Sequence, residues 1–157
     1  MASVKDLVEL LISKKLKIAS AESCTGGLFA SSIVSVPGSS EIIDASIVTY
    51  SNDAKMKYCK VKSETLEKFG AVSEEIAGEM ARGIAEECGA DFGVSFSGIA
   101  GPGGATATKP VGMVCFGLSF KGNVETFTRV FKGDRTEVRE QSVQFMIDKL
   151  MERLREI

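Results

Sequence analysis

K-I-A-S-A-E-S-C-T-G-G-L-F-A-S-S-I-V-S-V, residues 17–36, is the stretch whose reading decides the fold. Lys17-Ile18-Ala19-Ser20-Ala21 reads as a short strand and Glu22-Ser23-Cys24-Thr25-Gly26-Gly27 as a small, polar, glycine-rich turn. A helix over residues 28–36 follows. Strand, turn and helix in this order build layered α/β domains, and they present backbone N–H groups and a helix dipole at the turn. The turn either cradles an anion or is simply tight and well capped. It carries neither the Gly-Lys-Ser/Thr of a Walker loop nor the G-x-G-x-x-G of a dinucleotide site.

Upstream, Val4, Leu7, Val8, Leu11, Ile12 and Leu16 recur at helical spacing over residues 3–16. Downstream, residues 37–55 read P-G-S-S-E-I-I-D-A-S-I-V-T-Y-S-N-D-A-K. A glycine turn with two serines runs into a strand over 42–50, which breaks at Ser51-Asn52-Asp53 in the manner of a helix N-cap. Lys55 then falls in the first turn of a helix, where the dipole opposes a cation. It is either an exposed lysine at a mild cost or one meant to lose its proton, with Ser39 or Ser40 and Tyr50 as companions.

A short helix capped by Ser63 stops near Gly70, and Ser73 opens the longest central helix, which ends at Cys88 with Gly89 as its C′ residue. Residues 91–97 form a buried strand. Gly98-Ile99-Ala100-Gly101-Pro102-Gly103-Gly104 is the densest glycine cluster, a loop able to come close to a ligand, and Lys109-Pro110 closes it. Strands over 111–120 and 125–131 pair as a hairpin across Lys121-Gly122-Asn123. Gly133-Asp134-Arg135-Thr136 leads into a last helix ending near Arg155, with Asp134 as its cap.

The pattern predicts one α/β domain over residues 1–157, a three-layer α/β/α sandwich around a mixed, mainly parallel sheet. The site is expected where the loops after the strands gather, at residues 23–27, 51–55 and 98–109.

Composition narrows the chemistry. The chain has 157 residues, 44% hydrophobic and 25% charged, with a net charge of −2, which gives no basic footprint for nucleic acid. No apolar run is long enough to span a membrane and no signal-peptide pattern opens the chain, so a cytoplasmic protein is expected. Histidine is absent, which excludes a Ser-His-Asp or Cys-His triad and leaves Lys, Tyr, Asp/Glu or Cys as proton carrier. Cys24, Cys59, Cys88 and Cys115 are scattered without a C-x-x-C pair, so neither zinc nor structural disulfides are expected. Cys24 beside the glycine turn is a nucleophile candidate, although a buried cysteine is more often inert packing.

Several motifs together resemble the C-terminal domain of the CinA (competence/damage-inducible) family, also known as nicotinamide-nucleotide amidase. They are A-E-S-C-T-G-G (21–27), P-G-S-S (37–40), V-T-Y-S-N-D-A-K (48–55), G-A-V-S-E-E (70–75), S-G-I-A-G-P (97–102), K-P-V-G (109–112) and G-D-R (133–135). Each is weak alone, and together they cover nearly the whole chain. The resemblance implies a cofactor-free, metal-free hydrolase converting nicotinamide mononucleotide to nicotinic acid mononucleotide and ammonia. It implies Ser40 as nucleophile with Tyr50 and Lys55 completing the site, and Ser23 as the second candidate. It further implies that Ser23, Thr25, Gly26, Gly27, Asn52, Gly98, Ala100, Gly101, Gly103, Gly104 and Lys109 surround the nucleotide, with Arg135 on its phosphate. Only the C-terminal domain is resembled, so no pyrophosphatase activity is carried over.

Without histidine, a Ser-Lys pair is the natural solution, provided that burial and the helix terminus lower the lysine pKa from about 10.4. Tyr50 is expected to bridge the pair or relay a proton. One departure from the family stands at Ala105-Thr106, where relatives carry Gly-Ser, and an alanine forced to positive φ would be strained. A nucleotide-binding or regulatory module without turnover is the competing expectation. A small-molecule nucleotide and further copies of the chain are the expected partners.

Overall fold

The computed structural model describes residues 1–157. Ser3 caps α1 (Val4–Lys14) through its side chain, and the helix buries Leu7, Val8 and Leu11 on one stripe. Then come β1 (Ile18–Glu22), α2 (Leu28–Val34), a 3-10 turn at Ser39–Glu41, β2 (Ile47–Val48) and α3 (Asn52–Cys59). They are followed by α4 (Ser63–Phe69), α5 (Glu74–Cys88), β3 (Phe92–Gly98), β4 (Met113–Phe120), β5 (Asn123–Val130) and α6 (Arg135–Arg155).

The five strands form one sheet in the order β2-β1-β3-β4-β5. β1 runs parallel to both β2 and β3, whereas β4 is antiparallel to β3 and to β5. Four of the five strands therefore point the same way, and only β4 is reversed. The expected mixed sheet is present, with two parallel and two antiparallel pairings.

Side chains alternate across a strand, and the two faces of β1 show it. Ile18 faces the larger core with α1, α2 and α6, while Ala19 and Ala21 face a smaller one with α3 and α5. Three layers result. On the first face Phe29, Phe96 and Phe116 form a run of rings with centroids 5.3 and 5.9 Å apart. Each fully buried phenylalanine contributes about 1.5–3 kcal/mol. On the second face α5 lies very close to its neighbours, because a Cβ on Gly83 would come within 1.7 Å of the Cys59 carbonyl oxygen of α3. Only glycine permits that crossing, and it sets where α3 sits.

Several boundaries differ from the sequence expectation. The strand predicted over 42–50 is only Ile47–Val48. Ile42 instead closes the 3-10 turn and is buried in the core, and the hydroxyls of Ser46 and Ser20 share a hydrogen bond at 2.7 Å. Side-chain bonding of this kind draws the segment away from the ladder until residue 47. Ser51, rather than Asn52 or Asp53, caps α3, accepting from the Ala54 amide at 3.0 Å. Ser63 is already helical, with Lys62 in the cap position and no side-chain cap. Ser73, Gly89 and Asp134 occupy the expected caps, the last in a capping box with Glu137. Ala105 does not have positive φ, so the alanine brings no backbone strain to the glycine loop.

Candidate active site

β2 and β3 lie on opposite sides of β1 and are reached by crossovers on opposite faces of the sheet. The carboxyl ends of β1 and β3 therefore flank a topological switch point, where ligands of open α/β sheets bind. A cavity of about 270 Å³ opens there, lined from the β1 end by Ser23 and Cys24 and from the β2 end by Tyr50, Asn52 and Lys55. Ser97, Gly98, Ile99, Ala100, Gly101, Gly103 and Gly104 line it from β3, with Ala71, Val72 and Arg135 completing the wall.

Lys55 is 1% exposed although it is a lysine near a helix N-terminus. Its Nζ donates to the carbonyls of Thr49 at 2.9 Å and Tyr50 at 3.3 Å, and it lies 3.3 Å from Ser23 Oγ. No carboxylate pairs with it. Burial holds the amine below the usual lysine range, while the nearby Cys24 and Cys59 act in the opposite direction. Those two thiols are themselves pushed up to about 12 by burial, so neither carries the negative charge that would offset it.

The geometry fits a neutral amine. Carbonyl oxygens only accept, so two Nζ hydrogens point at Thr49 and Tyr50. The remaining direction faces the Ser23 hydroxyl, where a neutral amine presents its lone pair. Such a pair can take a proton from Ser23.

The glycine loop supplies donors. The amides of Ala100, Gly101, Gly103 and Gly104 make no hydrogen bond within the protein, although Ala100 is only 4% exposed. Buried amides are nearly always paired, so the unpaired amides of the buried Ala100 and Gly101 on the cavity wall suit an anionic oxygen, while those of Gly103 and Gly104 are exposed. Arg135, the first residue of α6, donates to the Gly101 carbonyl at 2.8 Å and to the Tyr50 hydroxyl at 3.3 Å, tying the loop to the rim. Gly101 has φ +85°, and a Cβ there would lie 2.4 Å from Val111.

The structure brings Ser23, Tyr50, Asn52, Lys55, Gly98, Ala100, Gly101, Gly103, Gly104 and Arg135 together, and leaves five of the expected residues outside the cavity. Ser40 is exposed on the 3-10 turn. That turn is tied to the start of β1, where the Ile18 amide donates to the Ile42 carbonyl, whereas Ser23 follows the end of the strand. Five residues at about 3.3 Å each separate the two ends. Ser40 therefore does not join Lys55.

Thr25, Gly26 and Gly27 shape the turn rather than line the cavity, because α2 already has its anion. The buried Glu22 carboxylate accepts from the amides of Gly27, Phe29 and Ala30 at 3.2, 2.9 and 3.0 Å. Lys109 is turned away, donating to the Phe69 carbonyl at 2.6 Å. Tyr50 does line the cavity, but its hydroxyl meets Arg135 and neither Ser23 nor Lys55, so it does not bridge the pair.

Sequence reasoning missed Ser97, Ala71, Val72 and the carbonyls that orient Lys55. Ala71 and Val72 lie in the quoted G-A-V-S-E-E motif, but they precede a helix rather than follow a strand. Cys24 does line the cavity, with a thiol too basic to serve as nucleophile near neutral pH. No group of three Cys, Asp or Glu side chains is placed to hold a metal ion. No helix is long and apolar enough to cross a membrane.

Residues 2–154 match the family described as the CinA C-terminal domain. Putative competence-damage inducible proteins of Clostridium perfringens and Clostridium acetobutylicum are 50% and 52% identical over 149 and 147 residues, covering 95% and 93% of this chain. The chain spans only 36% of the length of these relatives. A CinA superfamily protein of Klebsiella pneumoniae superposes with a TM-score of 0.95 at 36% identity, over 98% of this chain and 96% of that one. A competence/damage-inducible protein of Agrobacterium tumefaciens does so at 0.88 and 39% identity, over 96% and 95%. The chain belongs to the CinA C-terminal domain family.

Proposed function

We propose that this domain hydrolyses the carboxamide of nicotinamide mononucleotide to nicotinic acid mononucleotide and ammonia, with Ser23 as nucleophile and Lys55 as its base. One observation carries the reading: a fully buried lysine without a carboxylate, 3.3 Å from a serine hydroxyl in the cavity. Family membership supports an amidase, and the absence of histidine from the chain makes a lysine base the natural alternative.

In this reading Ser23 Oγ attacks the amide carbon as Lys55 Nζ takes its proton. Unpaired amides at the cavity wall donate hydrogen bonds to the carbonyl oxygen as negative charge develops on it. Lys55 returns the proton to the amide nitrogen, the C–N bond breaks, and ammonia leaves behind an acyl ester on Ser23. Water, deprotonated by Lys55, then cleaves the ester, releases the acid and restores the hydroxyl. Amide and water become acid and ammonia, with no redox partner required.

Arg135 and the glycine loop suit a phosphate, and a bidentate guanidinium is the side chain best matched to that group. By contrast, a groove over α5 and β5 sets Glu74, Glu75 and Glu79 against the one cation Arg82 and holds no lysine base, so it disfavours an anionic nucleotide.

The test is ammonia release from nicotinamide mononucleotide, with the riboside lacking the phosphate as comparator. Turnover of the nucleotide with much weaker turnover of the riboside is expected. Binding of the nucleotide without ammonia release would instead make the domain a pyridine-nucleotide-binding module.

A further inference from the structure

Glu22 and Arg139 do not line the cavity, yet both grip the turn that carries Ser23. Alternation along β1 sends Ile18, Ser20 and Glu22 to the face of α2, and sends Ala19, Ala21 and then Ser23 to the face of α3, where Lys55 waits. Glu22 is fully buried. One carboxylate oxygen accepts from the amides of Gly27 and Phe29, and the other from the Ala30 amide and, at 3.1 Å, from the Ser20 hydroxyl. It fills the first turn of α2, where Gly27 has no side chain to cap with.

Arg139 grips the same turn from α6. Its Nε donates to the Cys24 carbonyl at 3.1 Å and one Nη to the Thr25 carbonyl at 2.9 Å. A trans peptide places C=O and N–H on opposite sides, so an arginine on the Cys24 carbonyl turns the Thr25 amide away from itself. Neither the Cys24 nor the Thr25 amide donates to a backbone carbonyl.

We propose that Glu22 and Arg139 are positioning residues for the chemistry at Ser23. Glu22 fixes how the turn enters α2, and Arg139 fixes its peptide planes. Together they keep Ser23 Oγ within reach of Lys55 Nζ and leave the amide of Cys24, which lines the cavity, free to stabilise an oxyanion. The inference rests on the Ser23–Lys55 reading above. A purely structural clamp would cost stability alone; a positioning clamp costs rate in a protein that still folds and still binds.

Arg139 is half-buried on a helix surface, so its truncation spares the core. Two rates are measured on Arg139→Ala, Arg139→Lys, Glu22→Gln and wild type: phosphonylation of Ser23 by a fluorophosphonate, followed by mass, and kcat and KM for nicotinamide mononucleotide. A displacement of about 1 Å at a reacting group costs about 100-fold, so Arg139→Ala is expected to lose between about 10- and 100-fold in both labelling and kcat, with KM little changed. Added guanidinium restores part of that loss. Arg139→Lys falls between, because an ammonium cannot fork to two carbonyls. Glu22→Gln loses rate as well, since its NH₂ group meets amide donors.

Labelling and kcat at wild-type levels in Arg139→Ala and Glu22→Gln would overturn the inference while leaving the Ser-Lys site standing. If Arg139→Ala does not fold, Arg139→Lys decides alone: a loss of kcat at unchanged KM supports the clamp, and wild-type rates overturn it. A wild-type protein that neither labels at Ser23 nor releases ammonia would overturn the Ser23–Lys55 reading and this inference with it.

Discussion

Two serine turns flank α2, E-S-C-T-G-G before it and P-G-S-S after it, and they have opposite fates. Both pair serine with glycine. Ser23 leaves the carboxyl end of β1, buried, beside a lysine. Ser40 sits on an exposed 3-10 turn tied to the amino end of the same strand. The motif alone does not choose between them. The end of the sheet does, because only there do the loops after β1, β2 and β3 converge. The turns also differ in how they are held, since only the Ser23 turn is gripped from two sides, by a buried carboxylate and by a guanidinium.

The sharpest way to break this comparison is through Lys55. Lys55→Met should fold, since it places an apolar chain where a buried amine now sits, and should lose about 10²–10⁴-fold in kcat with nucleotide binding retained. Turnover close to wild type would remove the feature that distinguishes the Ser23 turn. The pH profile tests the same point with a defined sign. Lys55 acts as a base only when neutral, and burial lowers its pKa. The rate constant kcat/KM should therefore be low in acid, rise with pH through a midpoint below the ordinary lysine value, and then level off. A midpoint near 10.4 would mean that the amine is solvated.

Next in size is Gly83→Ala. A methyl group there collides with the Cys59 backbone, so α3 must shift, at a cost of about 1–3 kcal/mol or more. Thermal unfolding reads the loss of stability. Activity should fall as well, because Lys55 rides on α3, whereas the Ser40 turn packs on the other face of the sheet.

Arg135→Ala should mainly raise KM for the nucleotide. A charged hydrogen bond is worth about 1.5–3 kcal/mol, which corresponds to about 10- to 100-fold. The riboside should hardly notice the change. A fall in kcat alone would instead assign Arg135 to the chemistry. Smallest of all is the effect of Ser40→Ala on stability, within about 0.5 kcal/mol for an exposed polar site, as denaturant titration would show.

Much of this was legible in the chain. Ser73, Gly89 and Asp134 mark helix ends by capping chemistry that acts within four residues, and the β4–β5 hairpin follows from alternation and a glycine turn. The three converging loops followed from counting strands. What failed was non-local. Residues 42–50 look like a strand because they are apolar and β-branched, but Ser46 bonds to Ser20 of β1 and Ile42 turns into the core. Glu22 reads as the first polar residue of a turn, yet it is buried under α2. A carboxylate ending a strand of small buried residues, before a helix with glycine at its cap, was the available signal, since a buried charge needs donors and a bare helix end offers them. Arg139 lies 114 residues from the carbonyl of Thr25 that it holds, and no local pattern announces such a contact.

The most direct measurement is ammonia release from nicotinamide mononucleotide by Ser23→Ala and Ser40→Ala side by side, with binding of the nucleotide measured for both. Loss of turnover in Ser23→Ala with binding retained, together with wild-type turnover in Ser40→Ala, is the predicted result. Turnover surviving in Ser23→Ala and lost in Ser40→Ala would contradict the account.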